Sequence, residues 1–226
     1  MELILSPRLS AIGELVRPGA VLSDVGTDHA LLPAKLLLCG KIKRAIASDI
    51  VKGPLARAKE TVEKYHLSDK VTTLLTPGLC GIEDHHPTDI VIAGMGGETI
   101  AEILWDAPFI KEERPHLILQ PMTKGELLRD YLFAEGFEIL KEKRVKEGQR
   151  IYTVLSCVYC GTPYHPTNLE RLFGRVEAKD RDELYVELLE KKRAQLTAVI
   201  AARTKGGLAA TEEEQLLLAI EEQLKH

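Results

Sequence analysis

The stretch Val21-Leu-Ser-Asp-Val-Gly-Thr-Asp-His-Ala-Leu-Leu-Pro33 decides the fold. Val21 to Val25 is a short apolar run interrupted by Asp24, as a buried strand requires. Gly26 can take a positive φ or let a ligand approach the backbone, and Pro33 suits the first turn of a helix that Gly40 then stops. Strand, tight acidic turn and helix start form the ligand-facing turn of an α/β sheet.

Asp24-x-Gly26-x-Asp28 differs from the three-glycine dinucleotide fingerprint, in which glycines let a pyrophosphate approach a helix N-terminus. Carboxylates replace two of those glycines. They would repel a pyrophosphate and attract a ligand carrying an ammonium and a sulfonium, which S-adenosylmethionine is. The plainer alternative is a capped turn without a ligand.

Further along, Arg44-Ala-Ile-Ala-Ser-Asp-Ile50 reads as a second strand closed by Asp49. That acid follows the glycine turn at the distance where nucleotide-binding α/β folds place the carboxylate that bonds the ribose hydroxyls. A half-buried helix follows over 52–67, with Leu55, Ala58, Val62 and Tyr65 on one face. Val71 to Leu75 is a third strand that leaves through Thr76-Pro77-Gly78. Asp89-Ile-Val-Ile-Ala-Gly-Met-Gly-Gly-Glu-Thr-Ile100 reads as a fourth strand running into the turn Gly94-Met-Gly-Gly97, then a helix bearing Ile100, Ile103, Leu104 and Trp105. Three glycines at a strand end mark a place where something bulky meets the backbone.

Ser6-Pro7 caps a first amphipathic helix with Leu9, Ile12, Leu15 and Val16, positioned for substrate contacts as well as for covering a sheet edge. Pro115 to Met122 is a fifth strand, and Thr123-x-x-Glu126 is a capping box for the helix that ends near Gly136. Phe137–Leu140 and Ile151–Tyr159 are expected to pair as a terminal antiparallel hairpin around the basic segment Lys141 to Arg150, whose charges either contact nucleic-acid phosphates or keep a solvated edge from aggregating. An alternating βα chain that closes in such a hairpin fits a class I methyltransferase sheet better than a dehydrogenase, whose units stay parallel.

Gly161 to Pro166 is a linker by composition, so the expected domains are residues 1–161 and 162–226. Beyond it, Thr167-x-x-Glu170 is a second capping box. Leu172, Val176, Leu184, Leu188, Leu196, Val199 and Ile200 keep helical spacing, Gly206-Gly207 breaks it, and Thr211 caps a last helix. A coiled-coil-like helical hairpin results, with Arg175, Arg181, Lys191, Lys192, Arg193 and Arg203 available either for RNA phosphates or for solvent.

The 226 residues, 45% of them hydrophobic, suffice for one α/β core and an appended piece. A net charge of -4 does not announce a nucleic-acid binder, because only a local patch would. Without a basic-then-apolar start or a bilayer-length apolar run, a soluble cytoplasmic protein is expected, with no membrane partner and an open oligomeric state. Cys39, Cys80, Cys157 and Cys160 lack the spacing of a zinc site, so they are expected as reduced packing residues, with no metal or disulfide role.

Taken together, Ser6-Pro-Arg-Leu, Asp24 to Pro33, Ala47-Ser-Asp49, Ile92-Ala-Gly-Met-Gly-Gly97 and Leu119-Gln-Pro-Met122 resemble the bacterial tRNA adenine-22 N1-methyltransferases, the TrmK family. The resemblance implies a Rossmann-like domain that binds S-adenosyl-L-methionine, followed by a helical domain for tRNA. It places the cofactor against Asp24, Gly26, Thr27, Asp28 and His29, against Asp49 and Ile50, against Gly78 and Leu79, and against Ala93, Gly94, Met95, Gly96 and Gly97. Asp28 is the first candidate for stabilising charge on the adenine or accepting its proton, with His29 second. Pro77 stands where many such enzymes carry an acid for the adenine amino group. The alternatives are a nucleotide-binding protein without catalysis, or a methyltransferase acting on another RNA or a small molecule.

Overall fold

The computed structural model describes residues 3–176 and 181–225. It divides into two compact units, residues up to Tyr164 and residues from His165 onward. The first is a seven-stranded sheet of order β3-β2-β1-β4-β5-β7-β6. Its strands are β1 (Val21–Val25), β2 (Arg44–Asp49), β3 (Val71–Leu75), β4 (Asp89–Gly96), β5 (His116–Thr123), β6 (Phe137–Glu147) and β7 (Arg150–Tyr159). The first five are parallel, and β7 enters antiparallel between β5 and β6.

Side-chain alternation builds a core on each face. Leu22, Ala45, Ala47, Val91, Ile118 and Val154 face α1 (Pro7–Leu15), α2 (Leu31–Leu38) and α3 (Lys52–Lys64). Val25, Ile46, Ile90, Ile92, Leu117 and Leu119 face α4 (Gly97–Trp105), α5 (Phe109–Glu113) and α6 (Gly125–Ala134). Central strands buried on both sides must be apolar on both sides, which is why these runs read as nearly continuous. Trp105, expected with the apolar face of α4, is instead 66% exposed, while Ile100 and Leu104 fill the core.

Three sequence expectations change here. The first strand of the hairpin does not stop at Leu140: β6 continues through the basic segment to Glu147, paired as far as Glu147↔Arg150, and only Gly148 and Gln149 turn. Pairing along the whole of β7 outweighs the polar composition, and a bulge between Ile139 and Lys141 adjusts the register. Second, the Thr123–Glu126 capping box does not form. Thr123 pairs with Gly96 as the last residue of β5, and left-handed Lys124 (φ 55°) precedes α6 without a side-chain cap. Third, the run Gly94–Gly97 is no free turn, because β4 carries an irregular register through Ala93, Met95 and Gly96, and Gly97 already opens α4.

Asp89, His116 and Ser156 form a buried polar chain where β4 and β5 begin. His116 joins Asp89 at 3.2 Å and Ser156 at 2.7 Å, and Arg17 completes the set with a 2.9 Å bond from its Nε to Asp89. Burial opposes the charge on Asp89, but these bonds more than offset it and leave the carboxyl below its ordinary value.

The second unit contains α7 (Asn168–Phe173), α8 (Glu183–Lys205) and α9 (Thr211–Leu224). The Thr167–Glu170 capping box forms as expected, Gly206 ends α8, and Phe173, Tyr185, Leu189, Leu196 and Ile220 make a small core. Helical spacing does not run unbroken from Leu172, since α7 stops at Gly174 and Asp182 caps a new helix. Residues 177–180, which that expectation spans, lie outside the described residues. Thr211 is the first helical residue rather than a cap. Of the cations expected on this unit, Lys191 pairs with Glu187, Arg193 with Glu190 and Arg203 with Glu213. Among the described residues no helix is long and apolar enough to cross a membrane.

Candidate active site

Parallel β1 to β4 end at one edge, so the segments that follow them converge there. Two adjoining clefts lie on that edge and share Gly26. The first, about 310 Å³, is lined by Arg8, Asp24, Thr27, Asp28, His29, Ala93 and Gly94 among others. The second, about 420 Å³, is lined by Asp49, Ile50, Pro77, Gly78, Leu79 and Met95, with Thr99, Glu102 and Ile103 from α4 and Asp106 from its C-cap.

The turn after β1 is tied down locally. Gly26 has φ +74°, and the amides of Gly26 and Thr27 both donate to the Ser48 carbonyl, at 2.8 and 2.9 Å, which locks the turn beside Asp49. Thr27 Oγ1 donates to Asp24 at 2.6 Å and accepts from the Ala30 amide at 3.1 Å. Burial pushes the Asp24 carboxyl up to about 6, against the lowering effect of the Thr27 bond and with a further push from Asp49. Asp49 Oδ1 accepts from the Val51 amide at 2.7 Å, which aims the carboxylate at the end of β2.

Asp28 reaches the other way. Its Oδ1 takes a 2.6 Å bond from Arg57 of α3, and its Oδ2 lies 3.5 Å from His29 Nε2. The bond from Arg57 holds the Asp28 carboxyl below the usual carboxylate range, so it is a poor proton acceptor.

The glycine run splits by role. Gly94, at φ +82°, faces the first cleft, and its amide donates to Gln120 Oε1 at 3.2 Å. Met95 faces the second. Gly96 and Gly97 line neither: a Cβ on Gly97 would run into the Lys124 carbonyl, so that glycine lets α4 approach α6. Clustered glycines report close approach, and at Gly97 that approach is packing within the protein.

Asp24, Gly26, Thr27, Asp28, His29, Ala93 and Gly94 are therefore gathered in one cleft, and Asp49, Ile50, Gly78, Leu79 and Met95 in the next. Arg8, read only as part of the Ser6-Pro-Arg-Leu motif, and the polar face of α4 were not assigned to the site from the sequence. The signals existed: Thr99, Glu102 and Asp106 recur at helical spacing, and Gln120 interrupts the apolar run of β5. The donor set suits a nucleoside with an amino-acid tail. An apolar cleft ending in a carboxylate fits adenosine and its ribose diol, and the smaller charged cleft fits an ammonium and a carboxylate.

Residues 5–155 match the methyltransferase domain family. The tRNA (adenine(22)-N(1))-methyltransferase of Bacillus subtilis is 38% identical over 154 residues, which span 68% of this chain and 65% of that relative. A Streptococcus pneumoniae protein solved in complex with S-adenosyl-L-methionine superimposes with TM-score 0.85 at 32% identity, covering 98% of this chain and all (100%) of the other. TrmK of M. capricolum in complex with S-adenosyl-homocysteine gives TM-score 0.84 at 27% identity over 98% of each chain. Sheet order, the acidic turn after β1 and the carboxylate closing β2 define a class I methyltransferase. Within that class, the chain belongs to the TrmK family.

Proposed function

We propose that this protein transfers the methyl group of S-adenosyl-L-methionine to ring N1 of adenine 22 in tRNA. The observation that carries the reading is the pair of clefts joined at Gly26, one apolar and ending at Asp49, the other charged and ending at Asp24, on a chain similar to TrmK proteins along its whole length. When bound, the cofactor supplies an electrophilic methyl on a sulfonium.

The residues then mainly orient and exclude water. Asp49 accepts the ribose hydroxyls, the backbone of Pro77 to Leu79 holds the adenine in place of a side-chain acid, and Asp24 receives the ammonium. Asp28, kept charged by Arg57, stabilises positive charge that appears on the target adenine, while the adjacent His29 accepts its proton. N1 lies on the pairing edge, so the base must leave its stack at a cost of a few kcal/mol. The helical unit holds the tRNA, and the protein works in the cytoplasm, where tRNA is found.

The test is mass spectrometry of nucleosides from tRNA incubated with isotopically labelled cofactor. Labelled 1-methyladenosine is expected from tRNA carrying adenine 22 and none from the same tRNA with guanine there. Methylation elsewhere, or no turnover with intact cofactor binding, would overturn the assignment.

A further inference from the structure

Charge at the cleft edge of the sheet is divided by side. The second cleft carries Asp49, Glu102 and Asp106 and, among the described residues, no lysine or arginine. At the first cleft stands Arg8, with its guanidinium 2.8 Å from Gln120 Oε1 and 5.8 Å from the Tyr152 ring centre on β7. A phosphate backbone is repelled by the acidic side and drawn toward the side on which β7 and β6 lie.

Those two strands form an arm. β7 runs antiparallel to both β5 and β6, so β6 runs with the parallel strands and its Glu147 end points to the cleft edge. Pairing with β5 stops at Leu119↔Leu155, while β6 and β7 stay paired from Lys143↔Val154 to Glu147↔Arg150. That is about 17 Å of two-stranded ribbon. Its tip is fixed by α1: Glu147 accepts from Ser6 Oγ at 3.2 Å and from the Arg8 amide at 3.1 Å, which sets the tip beside the first cleft.

The acids of the arm are engaged within the protein. Glu142 takes two bonds from Arg129, at 3.0 and 2.7 Å, and Glu147 holds the first turn of α1. Lys146 and Arg150, which flank the tip, are exposed. They lie on opposite faces of the ribbon, because Arg150 pairs with Glu147 whereas Lys146 pairs with Ile151. A rigid ribbon with a cation on each face, ending in the Gly148-Gln149 turn, suits the phosphates of a folded RNA.

We propose that the tip of the β6–β7 arm binds tRNA phosphates through Lys146 and Arg150 and so brings the target nucleotide to the first cleft. This rests on the methyltransferase reading and adds to it a substrate surface on the catalytic unit, apart from the helical unit. The test compares the full wild-type chain with the double variant Lys146→Ala, Arg150→Ala in tRNA binding across a salt series and in steady-state methyl transfer. Calorimetric binding of S-adenosylmethionine, expected to change by less than about twofold, is the folding control.

The double variant is expected to lose about 10-fold or more in tRNA affinity near 0.1 M salt, with KM for tRNA raised accordingly and kcat kept within about twofold. Two lost phosphate contacts should also flatten the plot of log affinity against log salt by about 1.4 to 1.8. Lys146→Arg with Arg150→Lys, which keeps both charges, should restore most of the affinity. Wild-type affinity and salt slope in the double variant would overturn the proposal and leave these charges to guard open strand edges. A loss that salt does not diminish, or that the charge-keeping variant does not restore, would overturn it as well. A wild-type chain that binds S-adenosylmethionine but neither binds nor methylates tRNA would instead overturn the reading on which the proposal rests.

Discussion

Met95 Cε occupies the space that a Cβ on Gly26 would take, so a side chain from the end of β4 closes directly over the turn after β1. This contact sits where the two clefts meet. Gly26→Ala must displace Met95 and also strain a backbone at φ +74°. The variant is expected to lose about 1–3 kcal/mol of stability in denaturant titrations and to bind S-adenosylmethionine more weakly. Adding Met95→Ala should recover the steric part and leave the backbone part, which a double-mutant cycle separates.

Asp49 closes β2 with one oxygen held by the Val51 amide, which directs the carboxylate into the second cleft. Asp49→Ala is expected to cost about 1.5–3 kcal/mol of cofactor affinity by calorimetry, as loss of charge-assisted bonds to a ribose diol would. An unchanged dissociation constant would remove the ribose role.

Asp24 makes cofactor binding depend on pH. Its carboxyl is raised from 3.8 to about 6 in the folded protein, so the folded apoprotein holds the proton more tightly than the unfolded chain. Its contribution to apoprotein stability is therefore most favourable below about pH 4, declines as pH rises toward 6, and levels off above. A ligand ammonium requires the ionised form. Affinity should accordingly weaken as pH falls through about 6, by up to about tenfold per pH unit, with proton release visible in buffers of different ionisation enthalpy. Asp24→Asn should flatten that dependence.

Gly97 and Gly96 should respond differently although they are adjacent. A Cβ at 97 collides with the Lys124 backbone, whereas one at 96 finds only the Thr123 and Thr99 hydroxyls, at 3.6 and 3.8 Å. Gly97→Ala is expected to destabilise by about 1–3 kcal/mol, as overpacking against rigid backbone does, and Gly96→Ala to stay near wild type in thermal melts.

A chain ending at Tyr164 should fold and bind S-adenosylmethionine while losing tRNA affinity. The cut belongs there rather than at Gly161, because Tyr164 packs edge-on against Phe133 at 5.2 Å and donates its amide to the Phe133 carbonyl at 2.9 Å. Wild-type tRNA binding should fall with added salt more steeply than binding by the truncated chain, if the missing unit supplies phosphate contacts. Since Lys191 and Arg193 already pair with glutamates, replacing Lys191, Lys192 and Arg193 together by alanine should reproduce only part of the loss. Full tRNA methylation by the truncated chain would exclude the helical unit from substrate binding.

The local features of this protein were legible because each depends on a few neighbouring residues. Ser6 caps α1 through its bond from the Leu9 amide, the Thr167–Glu170 box forms, Gly206 ends α8, and the segment from Val21 to Pro33 folds as strand, turn and helix. Asp49 was legible for the same reason, since a strand end and its spacing from a glycine turn can be read along the chain.

Only the tertiary structure decided what depends on partners far away in sequence. Lys141 to Glu147 became strand because β7 offered a complete ladder, and Thr123 was taken from its capping box because Gly96 required a β5 partner. The first cleft is the clearest case. Arg8 and Gln120 stand 112 residues apart, and neither by itself indicates the other as its partner. Sequence period determines which face a side chain takes. Chain closure across the sheet determines which side chain it meets there, and no local pattern encodes that meeting.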